Sequence, residues 1–157
     1  RSVGEAGARA KVFEDGRFIG SLEGSLRLVE PQADAAAEFE MRALGGASFE
    51  LLDRPAFVDA QLGYRFRPDA ETDEMLVDLT VGIRPADRTL LLLQSFSTVA
   101  TTPTEDGRPA YDHHKLQGSA VFDVTRRWSL QVGGGRTIAG SNALRERSAF
   151  ASVWLHF

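Results

Sequence analysis

From near Arg1 to Phe157, apolar and polar residues alternate over long segments, and helical periodicity is nowhere sustained. A period of two fixes an extended strand with two chemically different faces. In AFVDAQLGYRFR, residues Ala56, Val58, Ala60, Leu62, Tyr64 and Phe66 share one face, while Asp59, Gln61, Gly63, Arg65 and Arg67 take the other. EMLVDLTVGIR sets Met75, Val77, Leu79, Val81 and Ile83 against Asp78, Thr80, Gly82 and Arg84. KLQGSAVFDV sets Leu116, Gly118, Ala120, Phe122 and Val124 against Lys115, Gln117, Ser119 and Asp123. Each segment is long enough to cross a bilayer as a tilted strand.

Further strands flank these. ARAKVFE and RFIGSLEGSLRLV meet at Asp15-Gly16, a dipeptide suited to a tight hairpin turn, and EFEMRALGGASFEL follows. The four leucines of TLLLLQSFSTVA blur the alternation, which a bulge or a strand covered on both sides would explain. WSLQVGGGRTIAG and SAFASVWLHF bring the expectation to about nine strands. The connections alternate in length: EDGR, LDRPA, RPADRT and VTRRW are short, and EPQADAAA, RPDAETDE, TTPTEDGRPAYDHH and SNALRERS are longer. Bacterial barrels sort their turns and loops this way between the two rims. The segment from Thr101 to Asp112 is expected to be the longest and most mobile.

A chain of 157 residues is read as one domain, spanning 1–157. No stretch approaches the roughly 18 consecutive apolar residues that a membrane helix needs, so a bilayer would have to be crossed by a closed sheet. A mean hydropathy of -0.19 fits such a sheet, half of whose residues avoid lipid. A net charge of -4 without a basic stripe argues against a nucleic-acid partner. The absence of cysteine excludes disulfide scaffolds, thiolate metal sites and thiol nucleophiles, and suits export through an oxidising compartment. The opening RSVGEAGARA has no signal-peptide pattern, so localisation has to be argued from the strands themselves.

At the C-terminus, Phe157 is aromatic and Leu155, Val153, Ala151 and Ala149 continue one apolar face behind it. This strand resembles the assembly signal of Gram-negative outer-membrane proteins, a final strand ending in Phe that is presented to the barrel-assembly machinery. SFELLDRPAFVDAQLGYRFR, DLTVGIRP, LLLLQSF, HKLQGSAVFDVTRRWSLQ and ALRERSAFASVWLHF are together similar to an uncharacterised family of proteobacterial outer-membrane barrels, over most of the chain. The resemblance implies a barrel in the outer membrane, in contact with its lipid and lipopolysaccharide, and carries no activity with it. Members of that family are longer at the N-terminus, which implies strands before Arg1 and would account for an odd strand count here.

Candidate chemistry is sparse. His113, His114, Ser119 and Asp123 invite a nucleophile-and-base reading, but His113 and Ser119 on one strand lie on the order of 20 Å apart, and adjacent histidines face opposite sides. The histidines read better as a polar outer rim near lipopolysaccharide head groups, and no third ligand stands at a spacing for a metal. Gly133, Gly134 and Gly135 before Arg136 and Thr137 lack the spacing and lysine of a phosphate loop. They read instead as a place where a curved sheet bends around a neighbour or admits a bulky side chain.

The polar face carries Glu23, Arg27, Glu40, Arg42, Asp59, Arg65, Asp78, Arg84, Lys115 and Asp123, in both signs. A cationic side chain facing lipid at mid-height costs about 2–4 kcal/mol, so these residues are expected to face a lumen and pair there. The expected fold is therefore all-β, an antiparallel up-and-down transmembrane barrel with about 8–10 strands in this chain, read as the C-terminal part of a larger barrel. The expected role is non-enzymatic, structural or transport-associated, with a narrow passage for small solutes at most and no cofactor. Two alternatives stay open: an outer-membrane lipid hydrolase, and a soluble lipocalin-like barrel with Val58, Leu62, Val77, Leu79, Leu116 and Phe122 lining its cavity. Closure is expected either from strands preceding Arg1 or from pairing of Ala6 to Phe13 with Ala149 to Phe157.

Overall fold

A computed structural model describes residues 2–30, 36–68, 72–101, 111–142 and 144–156. Nine strands form one antiparallel sheet: β1 (Ser2–Asp15), β2 (Phe18–Glu30), β3 (Ala36–Leu51), β4 (Arg54–Phe66), β5 (Glu74–Ala86), β6 (Thr89–Ala100), β7 (Asp112–Asp123), β8 (Trp128–Ser141) and β9 (Arg147–Leu155). Each strand pairs only with its neighbours in sequence, the order that short hairpins impose.

The connection lengths sort as the sequence suggests. Turns at 16–17, 52–53, 87–88 and 124–127 lie at one end of the sheet, and the strand ends that the longer segments 31–35, 67–73, 101–111 and 142–146 connect lie at the other. The expectation for the loop from Thr101 to Asp112 falls largely outside the described residues. The first hairpin turns on Gly16 and Arg17, with a positive φ at Gly16 alone, the mirror-image turn that needs glycine only at its first central position. The second turns on Leu52 and Asp53, both in the left-handed region, where a γ-branched side chain is strained.

The sheet is open. β1 and β9 are its two edges and do not pair among the described residues, which corrects the expected seam between Ala6 to Phe13 and Ala149 to Phe157. The reason is topological. Eight antiparallel steps leave β1 and β9 pointing the same way, so a direct seam would be parallel, and an antiparallel seam takes an odd number of further strands.

Pairing of β6 with β7 is unbroken, while its pairing with β5 shifts register between Ile83 and Ala86, a bulge on β5 opposite Leu90; alternation within β6 itself is preserved. Leu91 and Leu93 join the exposed apolar face, while Leu90 and Leu92 turn to the other side and pack with Val121 and Phe57. The four leucines thus belong to two environments, which is why their run looked unpatterned. Three phenylalanines lie over directly paired glycines: Phe13 on Gly20, Phe57 on Gly82 and Phe150 on Gly133. A Cβ at Gly133 would come within 2.6 Å of the Phe150 ring, so the glycine run does make room for a bulky side chain.

Candidate functional site

Burial is inverted relative to a water-soluble sheet. One face carries Leu26, Met41, Leu62, Val77, Leu79, Val81, Leu93, Leu116, Phe122, Val153 and Leu155, all exposed, with Met41 at 60% and Leu62 at 56%. The opposite face buries charge: Glu38, Glu40 and Glu74 are 5%, 4% and 6% exposed. Lining a cavity, as the lipocalin-like alternative requires, would bury Leu62, Val77, Leu79, Leu116 and Phe122; they are exposed, and Val58 is half-buried.

The charged face is knitted together near the end bearing the long connections. Arg42 on β3 bonds Glu40, and reaches across Gly63 of β4 to Asp78 of β5 at 2.5 Å. A Cβ at Gly63 would stand 3.1 Å from Arg42 Cγ, so a side chain there would require Arg42 to shift by a few tenths of an ångström. Arg65 bridges Glu40 at 2.6 Å and Glu74 at 2.5 Å. Arg67 bridges Glu38 and Glu74, each at 3.0 Å. Arg27 bonds Glu38 at 3.3 Å. Four carboxylates, Glu38, Glu40, Glu74 and Asp78, thus face four guanidiniums, those of Arg27, Arg42, Arg65 and Arg67, and a fifth, half-exposed carboxylate, Glu5, stands 3.3 Å from Arg27 at the edge of the cluster.

Tyr111, just before β7, closes the cluster by donating its hydroxyl to Glu74 and accepting from Arg67 Nη1 at 3.0 Å. Burial first, and the Glu74 carboxylate second, push its phenol up to about 12. Arg67 is drawn down by burial, but the Glu74 and Glu38 carboxylates around it outweigh that and hold it above its ordinary value. At the same rim the Lys115 ammonium holds the Glu146 carboxyl below its usual range.

The charged residues expected from sequence divide into two groups. Arg27, Glu40, Arg42, Arg65 and Asp78 belong to this cluster. Glu23 pairs with Arg9 instead, Asp59 accepts from Gln61, Arg84 pairs with Asp123, and Lys115 pairs with Glu146. Sequence reasoning passed over Glu38, Arg67 and Glu74 as cluster members, although each stands two or four residues from a named one and so shares its face. Tyr111 carried no such signal, because it lies outside the strands.

The hydrolase alternative needs a hydroxyl and a base that meet on adjacent strands, and one such meeting exists. Ser129 Oγ on β8 lies 2.9 Å from His156 Nε2 and donates to Asp123 Oδ1 at 2.6 Å. The order is wrong for nucleophilic catalysis, since the hydroxyl proton goes to the carboxylate and the imidazole nitrogen must donate to Oγ rather than receive from it. Ser129 is also only 1% exposed. Ser119, suggested by the sequence, accepts from Gln131 at 2.8 Å. The histidines separate as their parity requires: His114 bonds Ser97, while His113 lies on the charged side. No group of three or more metal-ligating side chains occurs among the described residues.

Of the C-terminal residues expected to form an assembly signal, Val153 and Leu155 lie on the exposed apolar face, and Phe157 lies outside the described residues. Compared with protein-family models, with curated proteins and with solved structures, the chain gave no match.

Proposed function

We propose that this chain forms an integral outer-membrane β-barrel with a structural or transport-associated role and no catalytic activity. One observation carries the reading: an apolar face left exposed on strand after strand, backed by a face where charges are buried and paired. A soluble monomer rarely exposes a continuous apolar patch beyond a few hundred Å², whereas hydrocarbon is the natural solvent for such a face. The ion-pair cluster then sits in the lumen, where its pairs span the narrow interior and block free passage of solutes. Bare strand edges in lipid would leave amides unsatisfied at several kcal/mol each. Under this reading the free edges of β1 and β9 are therefore closed in the membrane by further strands. The terminal aromatic Phe157 serves recognition by the barrel-assembly machinery, and the long connections meet lipopolysaccharide outside.

Expression with an export signal in a Gram-negative host tests the reading. The protein is expected in the outer-membrane fraction, resistant to alkaline carbonate and soluble only in detergent. Recovery as a monodisperse soluble protein without detergent would refute it.

A further inference from the structure

On the exposed apolar face of β6 to β9 lies a groove of about 540 Å³ whose floor and ends are chemically distinct. Gly118 pairs directly with Gly134, so backbone without side chains forms the floor, and a Cβ at Gly118 would touch nothing within 4 Å. Leu93 and Leu116 wall it. At the end nearest the long connections, Arg136 of β8 stands directly opposite Arg147 of β9 on the same face. Directly opposed side chains have Cβ atoms about 4.5–5.5 Å apart, and like charges so placed destabilise the pair. Neither guanidinium has an ion-pair partner among the described residues, unlike Arg42, Arg65 and Arg67 on the other face. What relieves two facing guanidiniums beside an apolar trough is an anion joined to an apolar chain, and phosphate matches the guanidinium fork.

We propose that this groove binds a phosphate-bearing membrane lipid, its head group held between Arg136 and Arg147 and an acyl chain lying over Gly134 and Gly118. The arrangement runs along the strands: Arg147 opens β9 directly after the connection at 142–146 and faces Arg136 of β8, and the glycine floor lies two residues further toward the short-turn end. Cationic side chains cost little at interfacial depth, and basic sites there are recognised by lipid head groups.

The test measures lipid retained by the full chain in nonionic detergent, using native mass spectrometry with three probes: dioleoyl phosphatidic acid, dioleoylglycerol and inorganic phosphate. Phosphatidic acid should be retained about tenfold over dioleoylglycerol, as one lost charge-assisted contact pair implies. The paired change Arg136→Gln with Arg147→Gln should abolish that preference. Gly118→Leu, whose Cβ would meet nothing within 4 Å, should occupy the trough and reduce retention while leaving the fold intact by circular dichroism. Arg145→Gln, the same charge change on the adjoining connection, should have no effect. Millimolar inorganic phosphate should not displace the lipid. Retention unmoved by the arginine pair would overturn the proposal, as would displacement by free phosphate together with an inert Gly118→Leu. The inference rests on the membrane reading. A protein soluble without detergent defeats that reading, whereas a detergent-requiring protein with unaltered retention defeats this inference alone.

Discussion

Replacing Glu40 by Gln probes the ion-pair cluster most directly, because Glu40 accepts from both Arg42 and Arg65 and is 4% exposed. The substitution keeps the shape of the side chain but removes one carboxylate from among the four guanidiniums, leaving Glu38, Glu74 and Asp78 with Glu5 at the edge. Arg42 keeps Asp78, and Arg65 keeps Glu74 with Glu38 at 4.0 Å, so the loss is one charge-assisted bond at each. At about 1.5–3 kcal/mol per bond, with part recovered by the glutamine carbonyl, the expected destabilisation is about 3 kcal/mol. That agrees with the roughly 3–5 kcal/mol for removing one partner of a buried pair. Arg65→Gln should cost a similar amount for the opposite reason, since Glu40 and Glu74 each lose a donor. The double variant removes one charge of each sign, so it should cost less than the sum of the singles by about 1–2 kcal/mol. Urea unfolding in detergent micelles, followed by fluorescence of Trp128 and Trp154, measures all three. Single costs under about 0.5 kcal/mol, or strict additivity, would show that the cluster is solvated and would refute its role as a dry plug.

Gly82→Val should be destabilising by about 1–3 kcal/mol, because its Cβ would fall 2.2 Å from the Phe57 ring, and Phe57→Ala should recover part of the loss in the same unfolding assay. Leu52→Asn should stabilise the 52–53 turn by about 1 kcal/mol, since asparagine tolerates the left-handed conformation that leucine holds there at φ 54; an unchanged urea midpoint would refute the strain. In a Tyr64→Phe background, ultraviolet titration should find Tyr111 ionising near 12 rather than 10.0. Because the folded value lies above the unfolded one, this group's contribution to stability is complete below the ordinary phenol range and is lost as pH rises through that window. Ionisation at the ordinary value would mean that the phenol does not donate to Glu74.

The period-two pattern by itself determined the strand count, the meander and the division of residues between faces. Each of these follows from local geometry: alternate side chains must point to opposite sides, and short turns leave a strand no partner but its neighbour. That is why the placement of Leu62, Val77 and Leu116 against Asp78 and Arg65 was legible without coordinates. The glycine run at 133–135 was legible in kind, as room for a bulky group, but that Phe150 fills the room at Gly133 was not. Only the tertiary structure decided which charges pair. Arg42 reaches across Gly63 to Asp78 two strands away, and Tyr111 joins from outside the strands. It likewise decided that Ser129 gives its proton to Asp123 rather than His156, and that Arg136 and Arg147 stand opposed. Parity assigns a face but not a height. Which residues on that face meet depends on register across several strands, and register is fixed only when every turn has closed.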